Sequence, residues 1–323
     1  AAHRTTTSLT RREMLRASAL GLGGLALGRH ALAQAPKPGG TFISAKTTEA
    51  TGLDPQLVPA LSRSRVSPLT YNQLVRFDYG MQPTPELAES WQVVDPKTIV
   101  FKLRTGVKFH DGSDFNAQVA KFNIDRLMTH RNSKGKVETG GIATVEALDA
   151  TTLRLNLKAP TASLLVNLTE AATRVTMNSQ AMIDKIGDEY GTAPDKIAGT
   201  GPMKVTEWLK QNHVVETKFE GYWDKGADGQ PLPYLDSVRT RFVADDSIRV
   251  LEMKAGNLDV VDMIAAKDVA GVKGDPNLVY VEKEWQGNLY SMTFNFKSGP
   301  FSQNLKLRQA ALYAIDRENV ART

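Results

Sequence analysis

The chain of 323 residues contains no cysteine. Disulfide bonds, a lipid-modified cysteine and a cysteine nucleophile are therefore excluded. Only five histidines are present, and they are too scattered along the chain to predict a metal site. One of them, His110, is expected in a loop or at the end of a strand.

Common signatures of catalysis are missing as well. The sequence has neither the Gly-x-Ser-x-Gly elbow of serine hydrolases nor the His-Glu-x-x-His pair of metalloproteases. The stretch from Asp224 to Gly229 begins like a calcium loop, but Gly226 and Leu235 stand where that loop needs oxygen ligands, so a plain turn is predicted. No cofactor and no enzyme activity are expected, although the plentiful carboxylates leave a secreted hydrolase open as an alternative.

Basic runs of the kind that bind nucleic acid do not occur after residue 35. The formal net charge is +5, but residues 1–33 hold five arginines and one glutamate, so the rest of the chain carries only about +1. Nucleic acid is therefore not an expected partner. The remaining residues are numerous and apolar enough to bury a large core in one or two domains.

The N-terminal residues have the order of a bacterial export signal. The pair Arg11-Arg12 precedes a short run rich in glycine and alanine, and Ala31-Leu32-Ala33 forms a small-x-small cleavage site. The pattern resembles the twin-arginine class, whose cargo crosses the membrane folded. Because the apolar run is shorter than the ~20 residues that span a bilayer, cleavage after Ala33 and a soluble periplasmic product are predicted. A disordered basic tail is the alternative interpretation.

Periodicity predicts a mixture of strands and helices. Strands are expected at 41–46, 152–157, 203–208, 213–219, 259–263, 278–281 and 291–296, with a β-meander over 91–109. Helices are expected at 117–128, 180–186, 248–255 and 305–316, and another through Tyr71, Leu74 and Val75. Asn116 and Asp246 are the expected caps of the first and third of these helices. Without a regular βαβ repeat, the pattern favours an α+β fold with mixed sheets.

The first of the predicted helices is amphipathic, and Val119, Phe122 and Leu127 are expected to share its buried face. Five aromatic residues are expected in the core: Trp91, Phe101, Phe109, Tyr222 and Trp223. The Gly199-Thr200-Gly201-Pro202 turn is interpreted as a backbone requirement, because glycine supplies positive φ and proline presets φ.

Several stretches together resemble a known family. In chain order they are Pro85-Glu86-Leu87-Ala88-Glu89-Ser90-Trp91, Thr98 to Arg104, Gly106 to Gly112, Gly199-Thr200-Gly201-Pro202, Gly221-Tyr222-Trp223 with Pro233 to Asp236, Ala255 to Asp259, Phe294-Asn295-Phe296, and Pro300-Phe301 with Arg308 to Arg317. All of them in this order, after an export signal, resemble the family-5 solute-binding proteins of ABC importers, which include dipeptide- and oligopeptide-binding proteins. The resemblance covers essentially all of residues 39–323.

The resemblance implies a two-lobed fold of the periplasmic-binding-protein type (type II, with an extra subdomain). Residues 34–284 would form the first lobe, with the subdomain at about 67–169. Residues 285–323 would form the hinge crossing and the start of a second lobe, most of which is expected to be missing from this sequence. Because a cleft needs two lobes, residues 34–323 alone are expected to bind no peptide tightly.

The resemblance also implies a function and a site. A monomer would capture a small solute, a di- or oligopeptide in the leading interpretation, and deliver it to the membrane permease of an ABC importer. Thr47, Thr48 and Glu49 would line the cleft, with Glu49 meeting a ligand amine. Trp285, Gln286 and Asn288 would lie near the hinge and the ligand. Packing of Trp285 within the lobe and solvation of Glu49 are the alternatives, and the same scaffold could instead hold haem, a metal chelate or a sugar.

Overall fold

The computed structural model describes residues 36–59, 67–78, 80–161, 163–169, 175–282 and 293–322. The chain divides into two units, Ala1–Ala270 and Gly271–Thr323, and each is described by itself. The strands are β1 (Thr41–Lys46), β2 (Val75–Phe77), β3 (Pro83–Pro85), β4 (Ala88–Asp95), β5 (Thr98–Leu103), β6 (Ile142–Ala147), β7 (Thr152–Leu157), β8 (Met203–Leu209), β9 (His213–Lys218), β10 (Ser237–Phe242) and β11 (Val260–Val261).

The helices, numbered in chain order, are short apart from one. They are α1 (Ser67–Thr70), α2 (Ala117–Thr129), α3 (Leu164–Asn167), α4 (Gln180–Ile186), α5 (Asp246–Lys254), α6 (Ala266–Lys273), α7 (Leu305–Tyr313) and α8 (Arg317–Arg322). Two single turns of 3₁₀ helix, Gly187–Glu189 and Pro194–Lys196, follow α4.

Strand β1 lies inside a five-stranded sheet of order β11–β1–β10–β9–β8. It pairs in parallel with β10 and β11, whereas β9 is antiparallel to both β10 and β8. Side chains alternate along a strand, so Phe42 and Ser44 share a face with their register partners Val238 and Thr240. The sheet is therefore mixed, as the sequence predicted.

A four-stranded antiparallel sheet of order β4–β5–β7–β6 carries the larger core. Strand β7 alternates cleanly, with Leu153, Leu155 and Leu157 buried. Helix α2 packs on this sheet through Ile124 and Leu127. A smaller core joins the loop after β1 to the five-stranded sheet, and it contains Ala50, Leu53, Tyr190, Ile197, Val205 and Val214.

Most of the predicted elements of the first unit are confirmed. Strands β1 and β7 and helix α4 have the predicted bounds, and β8 and β9 differ by one residue. Helix α2 begins after Asn116, whose side-chain oxygen accepts the backbone N–H groups of Gln118 and Val119. Of the five predicted core aromatics, Phe101 and Phe109 are fully buried, whereas the other three are half-buried.

The helix predicted through Tyr71, Leu74 and Val75 is wrong. Helix α1 ends at Thr70, and the backbone that follows finds its partners elsewhere: Leu74 accepts bonds from Glu86 and Ala88. Val75 opens β2, which pairs with β3. Long-range backbone bonds therefore replace the helical ones.

Several boundaries and faces also need correction. The buried face of α2 contains Leu127, as predicted, together with Ala117, Ala120, Asn123 and Ile124. Val119 packs against the core but is only half-buried, and Phe122 is also half-buried. Asn123 can occupy this face because its side chain is hydrogen-bonded. The β-meander predicted over 91–109 ends at Leu103, where β5 ends. The strand predicted at 259–263 corresponds to β11, which is only two residues long.

Helix α5 is capped by Asp245, whose carboxylate accepts the backbone N–H of Ile248 at 3.0 Å, and not by Asp246. In the second unit, residues 278–281 are not a strand, and Val279 and Val281 are exposed. The described part of the strand predicted at 291–296 is irregular. Helix α7 ends at Tyr313, three residues before the predicted end, and α8 follows.

The glycines of the Gly199-Thr200-Gly201-Pro202 turn are required for a different reason from the predicted one. Neither Gly199 nor Gly201 has a positive φ. A Cβ atom at Gly199 would lie 1.9 Å from the carbonyl oxygen of Thr70, and one at Gly201 would lie 2.3 Å from that of Leu69. The turn therefore uses glycine to let two backbones approach closely.

Candidate functional site

The carboxyl ends of three parallel strands meet at one edge of the five-stranded sheet. Strands β10, β1 and β11 run in the same direction, so the segments after them, which start at residues 243, 47 and 262, lie along that edge. In sheets of this kind, ligands bind outside the carboxyl ends of the strands. We call this edge, with residues 47–49, 243–245 and 262–265, the strand-end site.

Three of the residues implied by the resemblance lie in the strand-end site. Thr47, Thr48 and Glu49 directly follow β1; Thr48 is exposed, and Thr47 and Glu49 are half-buried. Trp285, Gln286 and Asn288 lie outside the described residues, as do Arg11, Arg12, Ala31 and Ala33. Half of the expected ligand contacts therefore follow β1 at this edge, and the other half lie outside the described residues.

Ion pairing and backbone bonds hold β11 in place beside β1. The ammonium group of Lys46 lies 3.1 Å from a carboxylate oxygen of Asp262. Asp259 donates its backbone N–H to the carbonyl of Ile43 at 2.8 Å, and its carboxylate accepts the N–H of Ile43 at 2.7 Å. These contacts therefore fix β11 beside β1 at both of its ends.

A buried arginine organises the two outer segments of the strand-end site. The side chain of Arg249 on α5 is fully buried. Its guanidinium donates to the carbonyl oxygens of Val243 at 2.6 Å, Ala244 at 3.0 Å and Met263 at 2.9 Å, and it pairs with Asp246. Arg249 thus ties the segment after β10 to the segment after β11.

Sequence reasoning missed Arg249 because a single arginine in a short amphipathic helix is normally solvated. A signal was present: Arg249 stands three residues after Asp246, a spacing that brings two helical side chains together. That spacing does not reveal the backbone carbonyls that complete the site.

A cavity of about 360 Å³ lies against one face of the five-stranded sheet, and Lys46, the residue before the strand-end site, is part of its lining. Its lining is mostly apolar and includes Phe42, Leu69, Leu235 and Val238. Glu216 from β9 also faces it and is fully buried, with its carboxyl oxygen 2.7 Å from the donating hydroxyl of Thr70. Burial raises the pKa of Glu216 to about 8, so the group is an uncharged acid at neutral pH.

The stretch that begins like a calcium loop forms a turn, as predicted. Gly226 and Gly229 make turn hydrogen bonds, and the carboxylate of Asp228 accepts the hydroxyl of Tyr234 at 2.7 Å and the N–H of Gln230 at 3.0 Å. Within the described ranges, histidine, aspartate and glutamate side chains do not gather in threes where a metal could be held. Over the same ranges, no helix is both long and apolar enough to cross a membrane.

Comparison with known proteins identifies the family. A family model described as bacterial extracellular solute-binding proteins, family 5, middle, matches residues 82–323. The chain belongs to this family. Among the relatives of this family-5 protein, a glutathione-binding protein of Escherichia coli K12 is 34% identical over 269 residues, which make up 83% of this chain and 50% of the relative.

Solved structures share the fold. The periplasmic binding protein DppA of Helicobacter pylori, in complex with the peptide STSA, matches with a TM-score of 0.66 and 27% identity, over 75% of this chain and 50% of that one. NikZ of Campylobacter jejuni, in complex with Ni(L-His), matches with a TM-score of 0.71 and 26% identity, over 88% of this chain and 55% of that one. These matches confirm the predicted mixed α+β fold of the periplasmic-binding-protein type. The family-5 chain spans about half the length of the relatives it matches.

Proposed function

We propose that this family-5 protein is the solute-capturing component of an ABC importer and that it delivers its ligand to a membrane permease. The observation that carries the proposal is membership of the solute-binding family over residues 82–323. The strand-end site supports it, because three loops converge there around exposed and half-buried polar groups. The protein acts by binding and release, without catalysis.

The ligand we propose is a small peptide or a peptide-like solute with a free amine. Glu49 offers a carboxylate at the strand-end site, and a charge-assisted hydrogen bond to an ammonium group stabilises a complex by roughly 1.5–3 kcal/mol. Trp285, Gln286 and Asn288 complete the other side of the site in this proposal, within residues 285–323, which form the hinge crossing and the start of a second lobe. Residues 34–284 act as the first lobe, with the subdomain at about 67–169.

We also propose that the protein works in the periplasm as a monomer. Arg11 and Arg12 would direct export by the twin-arginine route, and cleavage would follow Ala33, with Ala31 as the second small residue of the cleavage site. This route suits a binding protein that folds before it is transported.

A metal chelate is the second candidate ligand. NikZ, whose structure was solved in complex with Ni(L-His), matches 88% of this chain, a larger share than DppA matches. A chelate that arrives with its own histidine needs few ligands from the protein, so the scattered histidines of this chain do not oppose it.

Isothermal titration calorimetry on the complete product of the gene tests the proposal. Glutathione, the peptide STSA and the nickel–histidine complex are titrated separately, and saturable binding of one of the two peptides is expected. Glu49→Gln should weaken the binding of that peptide about 10- to 100-fold, as loss of one charge-assisted bond requires. Acetylation of the peptide's amine should have the same effect.

Glu89→Gln is the matched control, because Glu89 is an exposed carboxylate on β4 in the other sheet. It should bind like the wild type. Binding of the nickel complex alone would favour the second candidate, and equal affinities of wild type and Glu49→Gln would remove Glu49 from the site.

A further inference from the structure

The loop from Thr47 to Pro59 carries the proposed ligand contacts but has no regular secondary structure. Irregular loops are usually the mobile parts of a fold, and ordering them on binding reduces affinity. A loop that binds a ligand well therefore needs anchors that hold it before the ligand arrives.

A buried ion pair lies at the middle of this loop. The carboxylate of Asp54 and the guanidinium of Arg126 on α2 are 2.6 Å apart, and their side chains are only 4% and 10% exposed. The other carboxylate oxygen of Asp54 accepts the N–H of Gln56 at 3.0 Å and the side-chain amide of Asn178 at 3.1 Å. Both oxygens of Asp54 therefore have donors.

Amide side chains extend the pair into a network. Gln56 accepts a bond from Arg126 at 2.6 Å and donates to the side-chain oxygen of Asn123 at 3.1 Å. The same oxygen of Asn123 accepts the backbone N–H of Asn178 at 2.9 Å. The network thus joins three separate parts of the chain, namely the loop after β1, helix α2 and the segment at residue 178.

Close packing fixes the backbone next to Asp54. Leu53 donates its N–H to the carbonyl of Gly191 at 2.9 Å, and the hydroxyl of Tyr71 donates to the carbonyl of Leu53 at 2.9 Å. A Cβ atom at Gly191 would lie 2.6 Å from the backbone nitrogen of Asp54. The loop therefore has little freedom at this point.

We propose that Arg126 is a positioning residue for ligand binding: through Asp54 and Gln56 it holds residues 47–49 in their binding geometry. The inference rests on the proposed function of the strand-end site. It assigns to helix α2, which packs on the other sheet, a part in preparing a site that it does not line.

Hydrogen exchange measured by mass spectrometry on the full chain tests the inference without any ligand. In Arg126→Met, the backbone amides of residues 47–53 should exchange at least about tenfold faster, while peptides from β5 and β7 keep their wild-type rates. Lys121→Met is the matched control: it removes the same charge from the same helix, but its partner Asp125 and Lys121 itself are both more than a third exposed. It should exchange like the wild type.

Unchanged exchange at 47–53 in folded Arg126→Met would overturn the inference. So would a uniform acceleration over the whole protein, because that marks a role in global stability only. If Arg126→Met does not fold, Gln56→Ala keeps the ion pair but removes the bridge to Asn123, and the same local acceleration is expected.

Calorimetry supplies a second readout with whichever probe among glutathione, STSA and nickel–histidine the wild type binds. At a temperature where Arg126→Met is fully folded, its affinity should fall about tenfold or more, and Lys121→Met should keep the wild-type affinity. A wild type that binds none of the probes would count against the proposed function, while the exchange experiment still decides on the positioning role of Arg126.

Discussion

The Nε2 atom of His110 lies 2.9 Å from the carbonyl oxygen of Gly201, a residue 91 positions further along the chain. The Nδ1 atom accepts the backbone N–H of Gly199 at 3.3 Å, so the neutral tautomer with its proton on Nε2 satisfies both contacts. Burial lowers the pKa of His110 to about 4. One uncharged imidazole therefore joins the Gly106–Gly112 stretch to the turn at 199–202.

This contact predicts that acid destabilises the protein through His110. Between pH 6.5 and 4 the unfolded chain binds a proton that the folded chain does not, so the free energy of unfolding falls as the pH falls, by up to ~3 kcal/mol. His110→Gln does not titrate, and its stability should depend less steeply on pH in this window. Urea unfolding of both proteins at several pH values checks this, and equal slopes would contradict it.

Glu216 predicts the opposite dependence, a loss of stability as the pH rises. Burial raises its pKa to about 8, so between pH 4.5 and 8 the folded chain keeps a proton that the unfolded chain releases. Stability should therefore fall as the pH rises through this window, by up to roughly 5 kcal/mol. Glu216→Gln keeps the shape without the charge and should be more stable than the wild type at pH 9.

Guanidinium unfolding between pH 5 and 9 measures the Glu216 effect. Glu89→Gln is the control, because its carboxylate is exposed on β4. Its pH dependence should match that of the wild type. The prediction fails if Glu216→Gln loses stability between pH 5 and 8 as steeply as the wild type does.

Replacing a glycine with alanine should be much more destabilising in the turn at 199–202 than at a less crowded position. In Gly199→Ala the new Cβ would lie 1.9 Å from the carbonyl oxygen of Thr70, so the backbone must shift, at a cost of about 3 kcal/mol. Gly141→Ala is the control, since its Cβ would meet only Thr161 at an ordinary 3.4 Å. Thermal unfolding should show a large loss for the first variant and a change within ~1 kcal/mol for the second.

The proposed export signal predicts that the arginine pair is needed as arginine. The double variant Arg11→Lys/Arg12→Lys keeps the charge but should accumulate as uncleaved precursor in the cytoplasm. Arg16→Lys, a charge-conserving change outside the pair, should be exported and processed. Cell fractionation with immunoblotting measures both, and periplasmic processing of the double variant would rule out the twin-arginine route.

Local sequence patterns predicted elements whose stability comes from nearby residues. Asn116 caps α2 through bonds to residues two and three positions away, and β7 alternates because one of its faces is buried. The segment at Tyr71 to Val75 has helical spacing, but its backbone bonds go to residues beyond Pro85, which local periodicity does not contain. Strand β10 was not predicted, because Arg239 and Arg241 stand between its apolar residues. In the structure, Arg241 pairs with Glu252 on α5.

The candidate site was predictable only in part. Thr47, Thr48 and Glu49 are assigned to the site through the family resemblance alone, since nothing in their own pattern marks them. Arg249 and Asp54 were missed because their roles depend on partners from other segments: backbone carbonyls for Arg249, and a residue 72 positions away for Asp54. From the sequence alone, charged residues such as these are expected to be solvated surface groups.

The position of β1 in the sheet determines when, during synthesis, this strand can pair with its neighbours. Its partners in β10 and β11 lie about two hundred residues further along, as the contacts from Thr41 to Ser237 and from Lys46 to Asp262 record. At ~5–20 residues per second of synthesis, β1 waits roughly 10–40 seconds on the ribosome before either neighbouring strand has been made. The first strand to leave the ribosome is thus among the last to be paired, and until then its edges are open to other chains.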